Sequence, residues 1–165
     1  MGSGKSSVGK VLATALGYIF IDLDAHIEIV EEKSISKIFF EKGEIYFRKR
    51  ENQILKDIML SESNVVIATG GGTPCYANSM DFILSQEKTV TIYLKASLNV
   101  LTDRLFLERV NRPLIAHIDR METLMDFIRK HLFERSFYYN QSSLKIDVEN
   151  SSVDEVAKNI IAELF

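Results

Sequence analysis

Cys75 is the only cysteine in the 165 residues. A lone thiol excludes an internal disulfide and points to a reducing compartment. No apolar run approaches the roughly 18 residues that a membrane-spanning helix needs, so no span is expected. The start lacks the basic-then-apolar pattern of a secretory signal. Excess basic charge is missing too: 20 Lys and Arg stand against 23 Asp and Glu, for a net charge of −3. There is no overall basic footprint for a nucleic acid or an anionic membrane, though a local basic site for a small anion remains open. Internal repeats and low-complexity tracts are absent. His26, His117 and His131 are scattered along the chain, which gives no basis for a metal cluster or histidine catalysis. The expectations are a cytoplasmic protein, with no nucleic-acid partner and no membrane partner.

What is present is ordinary globular material. Hydrophobic residues make up 46% and charged residues 26%, enough for one domain with a real core. The rest of the chain is organised around its opening stretch, Gly2-Ser3-Gly4-Lys5-Ser6-Ser7. Gly-Lys-Ser is the second half of a phosphate-binding loop. Glycines let the backbone come close to phosphate oxygens, and successive N–H groups then point into one anion-holding concavity. In that motif the lysine reaches the β- and γ-phosphates and the serine hydroxyl ligates Mg²⁺. A helix starting at about Ser6 adds its N-terminal dipole. The full motif places another glycine five residues before Gly4, and counting back runs off the chain. A flexible Ser/Gly-rich start is the competing reading of these six residues.

From Ser6 to Asp24 the chain reads as βαβ with its first strand removed. Val8, Val11, Leu12, Ala15 and Leu16 recur at helical spacing, and Gly17 suits the helix's C-terminal cap. Tyr18–Ile21 is a short β-rich run closed by Asp22-Leu23-Asp24. Alternation along a strand end would send both carboxylates to one side, at the edge where open α/β sheets bind ligands. One carboxylate would sit near Mg²⁺ and one on a substrate hydroxyl; the other reading is helix capping by Asp24 with a solvated Asp22. Helices are predicted at about 25–32, from Ser34 to Phe40, and from Gly43 to about Leu60, with Ile45, Phe47 and Ile54 facing inward. Arg48 is the candidate anion binder, because arginine makes a bidentate fork to a carboxylate. A surface salt bridge is the alternative, and the better reading of Lys49 and Arg50.

Val65–Ala68 is fully apolar, as a strand buried on both faces should be. Thr69-Gly70-Gly71-Gly72 comes next; glycines at a strand's C-terminal end suit a close backbone approach by a ligand, or simply a flexible turn. Cys75 reads as a small filler residue. Further on the pattern predicts a helix over 79–86, a strand over 89–94, and a helix capped by Ser97 through Leu105. Charge density and the Arg112-Pro113 break suggest that 104–114 is mobile: Arg112 could swing onto a transferring phosphate, or the segment could be a solvated loop. A long helix spans Met121–Tyr139, with Leu124, Ile128, Leu132 and Phe133 at helical spacing and Arg135 near its end, where a cation also favours the dipole. Leu144–Val148 is the last strand, and Ser152 with Glu155 makes a capping-box pattern before a final helix carrying Val156, Ile160, Ile161 and Leu164.

Taken together, GSGKSSVGK, the DLD of 22–24, GEIYFR at 43–48, TGGG at 69–72, RP at 112–113, and Arg135 followed by Tyr139 resemble the shikimate kinase family of P-loop, nucleoside-monophosphate-kinase-like enzymes. The set spans nearly the whole chain in the family's order. The resemblance implies a three-layer α/β fold. Its parallel sheet has the order 2-3-1-4-5, flanked by helices, and its first strand is absent here. It implies a single domain over 1–165, with a substrate-binding subregion at about 24–60 and a lid at about 106–119. It implies ATP and shikimate as substrates, Mg²⁺ as cofactor, transfer of the γ-phosphoryl group to the 3-hydroxyl of shikimate on the route to aromatic amino acids, and a monomer. Residue by residue, Gly2, Ser3, Gly4, Lys5, Ser6 and Ser7 look like the phosphate loop. Lys5 resembles the phosphate lysine; Ser6 and Asp22 resemble the metal-side pair, Asp22 acting through water. Asp24 is similar to the residue that holds the shikimate hydroxyls, as base or as orienter. Arg48 and Arg135 look like the carboxylate clamp, and Gly70, Gly71 and Gly72 like the backbone wall of the substrate site. Arg112 resembles the lid arginine and Arg104 the arginine that stacks on adenine.

The truncated loop is the departure from the pattern. A central strand cannot be removed without leaving two apolar edges, so the natural protein is expected to begin upstream, with Met1 an internal methionine of the loop. Two other functions compete: another small-metabolite P-loop kinase, such as a gluconate kinase, and a nucleotide-binding module left inactive by the incomplete loop. The paired arginines and TGGG disfavour the gluconate kinase.

Overall fold

Short parallel strands, each followed by a helix, carry the chain in a computed structural model that describes residues 2–112 and 114–165. The described elements are α1 (Lys5–Leu16), β1 (Ile19–Asp22), α2 (Leu23–Glu31), α3 (Ile35–Ser61), β2 (Val65–Ala68), α4 (Ser79–Leu84), β3 (Ile92–Lys95), α5 (Leu98–Glu108), α6 (Met121–Tyr139), β4 (Leu144–Asp147) and α7 (Val153–Leu164). They group into two compact units, residues 5–89 and residues 2–4 with 90–165.

In the first unit β1 pairs with β2 in parallel, Ile19 opposite Val65 and Asp22 opposite Ala68. This register brings the ends of both strands, and so Asp22 and the glycines after Ala68, to one edge. Val8 and Leu12 of the predicted stripe of α1 are buried and Val11 and Leu16 half-buried, while the inward face extends to Gly9 and Ala13 instead of Ala15, which is exposed. The reason is close approach. A Cβ on Gly9 would lie 2.6 Å from the Phe20 ring, so only glycine lets the helix rest on β1 there. Leu23, Ile27, Ile38, Phe47, Ile54, Leu55, Ile58 and Ile83 form the core.

The predicted helices around 34–40 and 43–60 are both present, as the two helical segments of α3, which meet at a break at Gly43, whose φ of 78° and ψ of 172° only glycine adopts without strain. Of the three residues expected to face inward, Phe47 and Ile54 are buried but Ile45 is 77% exposed. Within the segment after the break Ile45 lies about 200° around the helix from Phe47 and about 180° from Ile54, so it faces solvent where they face the core. Across the bend the largely buried Glu31 carboxylate accepts from Lys42 at 3.4 Å, the Tyr46 hydroxyl at 3.0 Å and Arg50 at 2.5 Å. Arg50 is therefore an ion-pair residue, as its charge pattern suggests.

In the second unit β3 pairs with β4 in parallel, Ile92 opposite Leu144. The two pairings are those that the order 2-3-1-4-5 requires of strands 2-3 and 4-5. Ser97 caps α5, and Ser152 and Glu155 form the predicted capping box on α7. Leu124 and Ile128 of α6 are buried, but Phe133 is 83% exposed: it falls on the solvent side of the stripe. Residues 104–108, expected to be mobile, belong to α5, anchored by the fully buried Leu105. A 3-10 turn comes after it at Arg109–Asn111, and Ile115 and Ile118 are buried farther on. Pro113 lies outside the described residues. No described helix is long and apolar enough to cross a membrane.

Candidate active site

The opening stretch carries two left-handed glycines, Gly2 at φ 69° and Gly4 at φ 85°, a backbone that residues with a Cβ rarely adopt. Gly2 also has no room for a side chain, since a Cβ would lie 2.9 Å from Leu105 Cγ. Lys5 opens α1, one residue earlier than predicted, so Ser6 and Ser7 lie in its first turn, where backbone N–H groups have no helical partners. The Ser6 hydroxyl donates to Asp22 Oδ2 at 2.6 Å. Asp22 ends β1 and caps α2, accepting from the Ala25 amide at 3.4 Å. The cap is thus Asp22 rather than Asp24, and the strand ends at Asp22, so strand alternation is not what relates the two carboxylates. Asp24 lies in the first turn of α2, where the N-terminal dipole favours an acidic residue.

Asp24 stands at the centre of a small constellation. A Cβ on Gly70 would meet Asp24 Oδ1 at 3.1 Å, Thr73 Oγ1 at 3.1 Å and Glu51 Oε1 at 3.3 Å. Crowding by protein atoms pushes the Asp24 carboxyl above its ordinary value, the Glu51 and Asp22 carboxylates add to the rise, and Lys5 and Arg48 pull it back. The residue as a whole is open to solvent, which screens these effects. Water can reach the carboxylate and so can a substrate hydroxyl.

Arg48, on α3 beyond the bend, is largely buried for an arginine. Its Nη1 donates to Glu51 Oε2 at 2.9 Å and its Nε to Glu44 Oε1 at 3.3 Å. Its guanidinium lies 4.4 Å from the Tyr76 ring centroid and 5.1 Å from that of Phe47. Gly72 completes the seat: a Cβ there would lie 2.8 Å from Arg48 Nη2. The glycines after β2 therefore have a physical account. Gly70 and Gly72 leave room for Asp24, Glu51 and the Arg48 guanidinium. Gly71 lies between them in the same turn.

Sequence reasoning missed Glu51, Thr73 and Tyr76. Glu51 and Thr73 are among the most buried polar residues, and Thr73 donates to Glu51 Oε1 at 2.7 Å. A glutamate three residues after a candidate anion-binding arginine, on the same helical face, was the available signal.

The remaining candidates belong to the other unit. Arg104 Nη2 donates to the Val148 carbonyl at 3.0 Å, which ties α5 to the end of β4 and employs part of the guanidinium proposed for adenine. Arg112 is held by Glu108, Nη2 to Oε2 at 2.6 Å. Arg135 lies on α6 beside Leu101, His131, Leu132 and Tyr139.

The family model described as shikimate kinase matches residues 1–165. A shikimate kinase of Flavobacterium johnsoniae is 44% identical over 161 residues, covering 98% of this chain and 92% of that protein. A shikimate kinase of Flavobacterium psychrophilum is 38% identical over 165 residues, covering 100% of this chain and 95% of that protein. Among solved structures, a shikimate kinase from Bacteroides thetaiotaomicron superposes with a TM-score of 0.91 at 32% identity, over 99% of this chain and 93% of that one. The enzyme from Acinetobacter baumannii in complex with shikimate gives 0.84 at 30% identity, over 99% of this chain and 88% of that one. A gluconokinase from Sinorhizobium meliloti gives 0.62 at 21% identity, over 99% of this chain and 86% of that one, a likeness of fold alone.

Proposed function

The chain belongs to the shikimate kinase family, with the P-loop kinase fold and an ATP-dependent phosphotransferase activity, and on that premise we propose how its residues serve the transfer. The reaction moves the γ-phosphoryl group of ATP to the 3-hydroxyl of shikimate. Such transfer asks mainly for positioning and for neutralisation of charge. One observation carries the proposal: Asp24, Arg48, Gly70 and Gly72 converge within one unit. A polyol acid needs an acceptor for its hydroxyl and a cation for its carboxylate, and this convergence supplies both.

Asp24 accepts the hydroxyl hydrogen bond and orients the oxygen for attack. Its raised proton affinity brings it closer to the range of a general base. Arg48 takes the substrate carboxylate while Glu51 holds the guanidinium from behind. Lys5 and the N-terminal turn of α1 neutralise the phosphates. The Ser6–Asp22 oxygen pair fits Mg²⁺, a hard cation that takes few protein oxygens and completes its shell with phosphate and water. Ser6 and Asp22 would hold the ion, which when bound supplies positive charge to the phosphate oxygens. For Arg104, Arg112 and Arg135 the support is the family motif. On this reading Arg135 is the second carboxylate ligand, Arg112 acts on the phosphates and Arg104 on adenine. Residues 24–60 are the substrate-binding part and 106–119 the lid.

Steady-state ADP release with MgATP, measured with shikimate, with gluconate and with neither, tests the reading. Release that requires shikimate is the expected result; release with gluconate, or with ATP alone at the same rate, would overturn it.

A further inference from the structure

We infer that Thr73 is a positioning residue for substrate recognition, setting the Arg48 guanidinium through Glu51. The inference rests on the proposed role of Arg48 and goes beyond it, since Thr73 belongs to no phosphate or substrate motif.

The observations form a chain. Thr73 is fully buried and opens the 3-10 turn after the glycines, its amide donating to the Gly70 carbonyl at 3.2 Å. Its hydroxyl donates to Glu51 Oε1 at 2.7 Å, and Arg48 donates to the other oxygen, Oε2, at 2.9 Å. Glu51 is 2% exposed, so water cannot stand in for a lost partner. A carboxylate with donors on both oxygens has one orientation; with one donor it can turn about its terminal torsion, which is broad and soft. The hydroxyl is thus what keeps Oε2 directed at Arg48. Asp24 gives a second reason. Asp24 Oδ1, Thr73 Oγ1 and Glu51 Oε1 all lie within 3.3 Å of the one point where a Cβ on Gly70 would sit. A Glu51 carboxylate released by Thr73 would be free to shift within this space, next to another acid. The Thr73 hydroxyl fixes the distance between the two carboxylates as well as the aim of the arginine.

The variants are Thr73→Val, which keeps the shape and removes the hydroxyl, and Thr73→Ser, which keeps the hydroxyl. Thermal melting of each variant checks that it is folded. Thr73→Val should raise the KM for shikimate about 10-fold, the scale of losing a hydrogen bond to a charged group, with a smaller effect on kcat and none on the KM for ATP. Thr73→Ser should restore the shikimate KM to within about threefold of the parent. In a Glu51→Gln background Thr73→Val should add little, because the two act as one unit. Where Thr73→Val does not fold, Thr73→Ala against Thr73→Ser makes the same comparison. An unchanged shikimate KM, a Ser variant as impaired as Val, equal rises in both KM values, or full additivity with Glu51→Gln would overturn the inference. A parent protein with no shikimate-dependent turnover would instead overturn the functional reading, and this inference with it.

Discussion

At Asp24 stability and function are opposed. Its folded-state proton affinity is raised, so the native chain binds more protons than the unfolded chain between the ordinary carboxylate value and the raised one. Stability contributed by this group is therefore greatest below the ordinary value and is lost as pH rises through the raised one. Asp24→Asn removes that cost. The variant should melt no lower than the parent at pH 7, while kcat falls by about 10²–10⁴-fold, the range of a lost general acid–base group. Paired thermal melts and ADP-release rates check both halves. Gly72 gives a complementary prediction. Alanine there places a Cβ 2.8 Å from Arg48 Nη2. The guanidinium must move away from Glu51, and the KM for shikimate should rise about 10-fold, the scale of a lost hydrogen bond to a charged group, with the KM for ATP unchanged.

Among the elements, α3 carries the most consequence. Its bend at Gly43 sets the direction of the segment that bears Arg48 and Glu51, and Glu31 ties both sides of the bend to α2. Gly43→Ala puts a Cβ on a backbone only glycine favours, which should cost about 1–3 kcal/mol in urea unfolding and raise the shikimate KM as the segment tilts. The Arg50 hydrogen bond, with Tyr46 and Lys42, holds the Glu31 carboxyl below its ordinary value. The sign is the reverse of that at Asp24: the stability is present above the ordinary carboxylate value and is lost as pH falls through the lowered one. Glu31→Gln should therefore narrow the difference between urea midpoints at pH 7 and pH 4.

For the whole molecule, ligand linkage supplies the prediction. A ligand at 100 times its Kd stabilises a folded protein by about 2.7 kcal/mol. Shikimate should accordingly raise the melting temperature, and Arg48→Ala should abolish that rise while leaving the rise produced by MgATP. Much of this molecule was legible in its sequence because its signals are local. The helix starts at Ser97 and Ser152, the apolar strand at 65–68 and the opening glycines each follow from the residues present. What was not legible depends on contacts distant in sequence. Gly9 of α1 is buried because it packs against Phe20, and residues 106–108 continue α5 past the fully buried Leu105. Asp24 was found from a strand periodicity that stops at Asp22. The site residue survived that error because the next turn of helix keeps it near the strand end. Thr73 was missed because its bond to a glutamate 22 residues away leaves no local pattern, whereas the i,i+3 spacing of Arg48 and Glu51 was the one local sign of the pair.

The central claim is that Asp24 and Arg48 present the 3-hydroxyl of shikimate to ATP. Phosphorus–proton correlation by NMR on the product tests it most directly, run with MgATP and shikimate on the parent and on Asp24→Asn. A single phosphate ester correlated with the proton at carbon 3 is expected, formed by the parent and reduced at least ~100-fold in the variant. An ester at another hydroxyl, or equal formation by the variant, would contradict it.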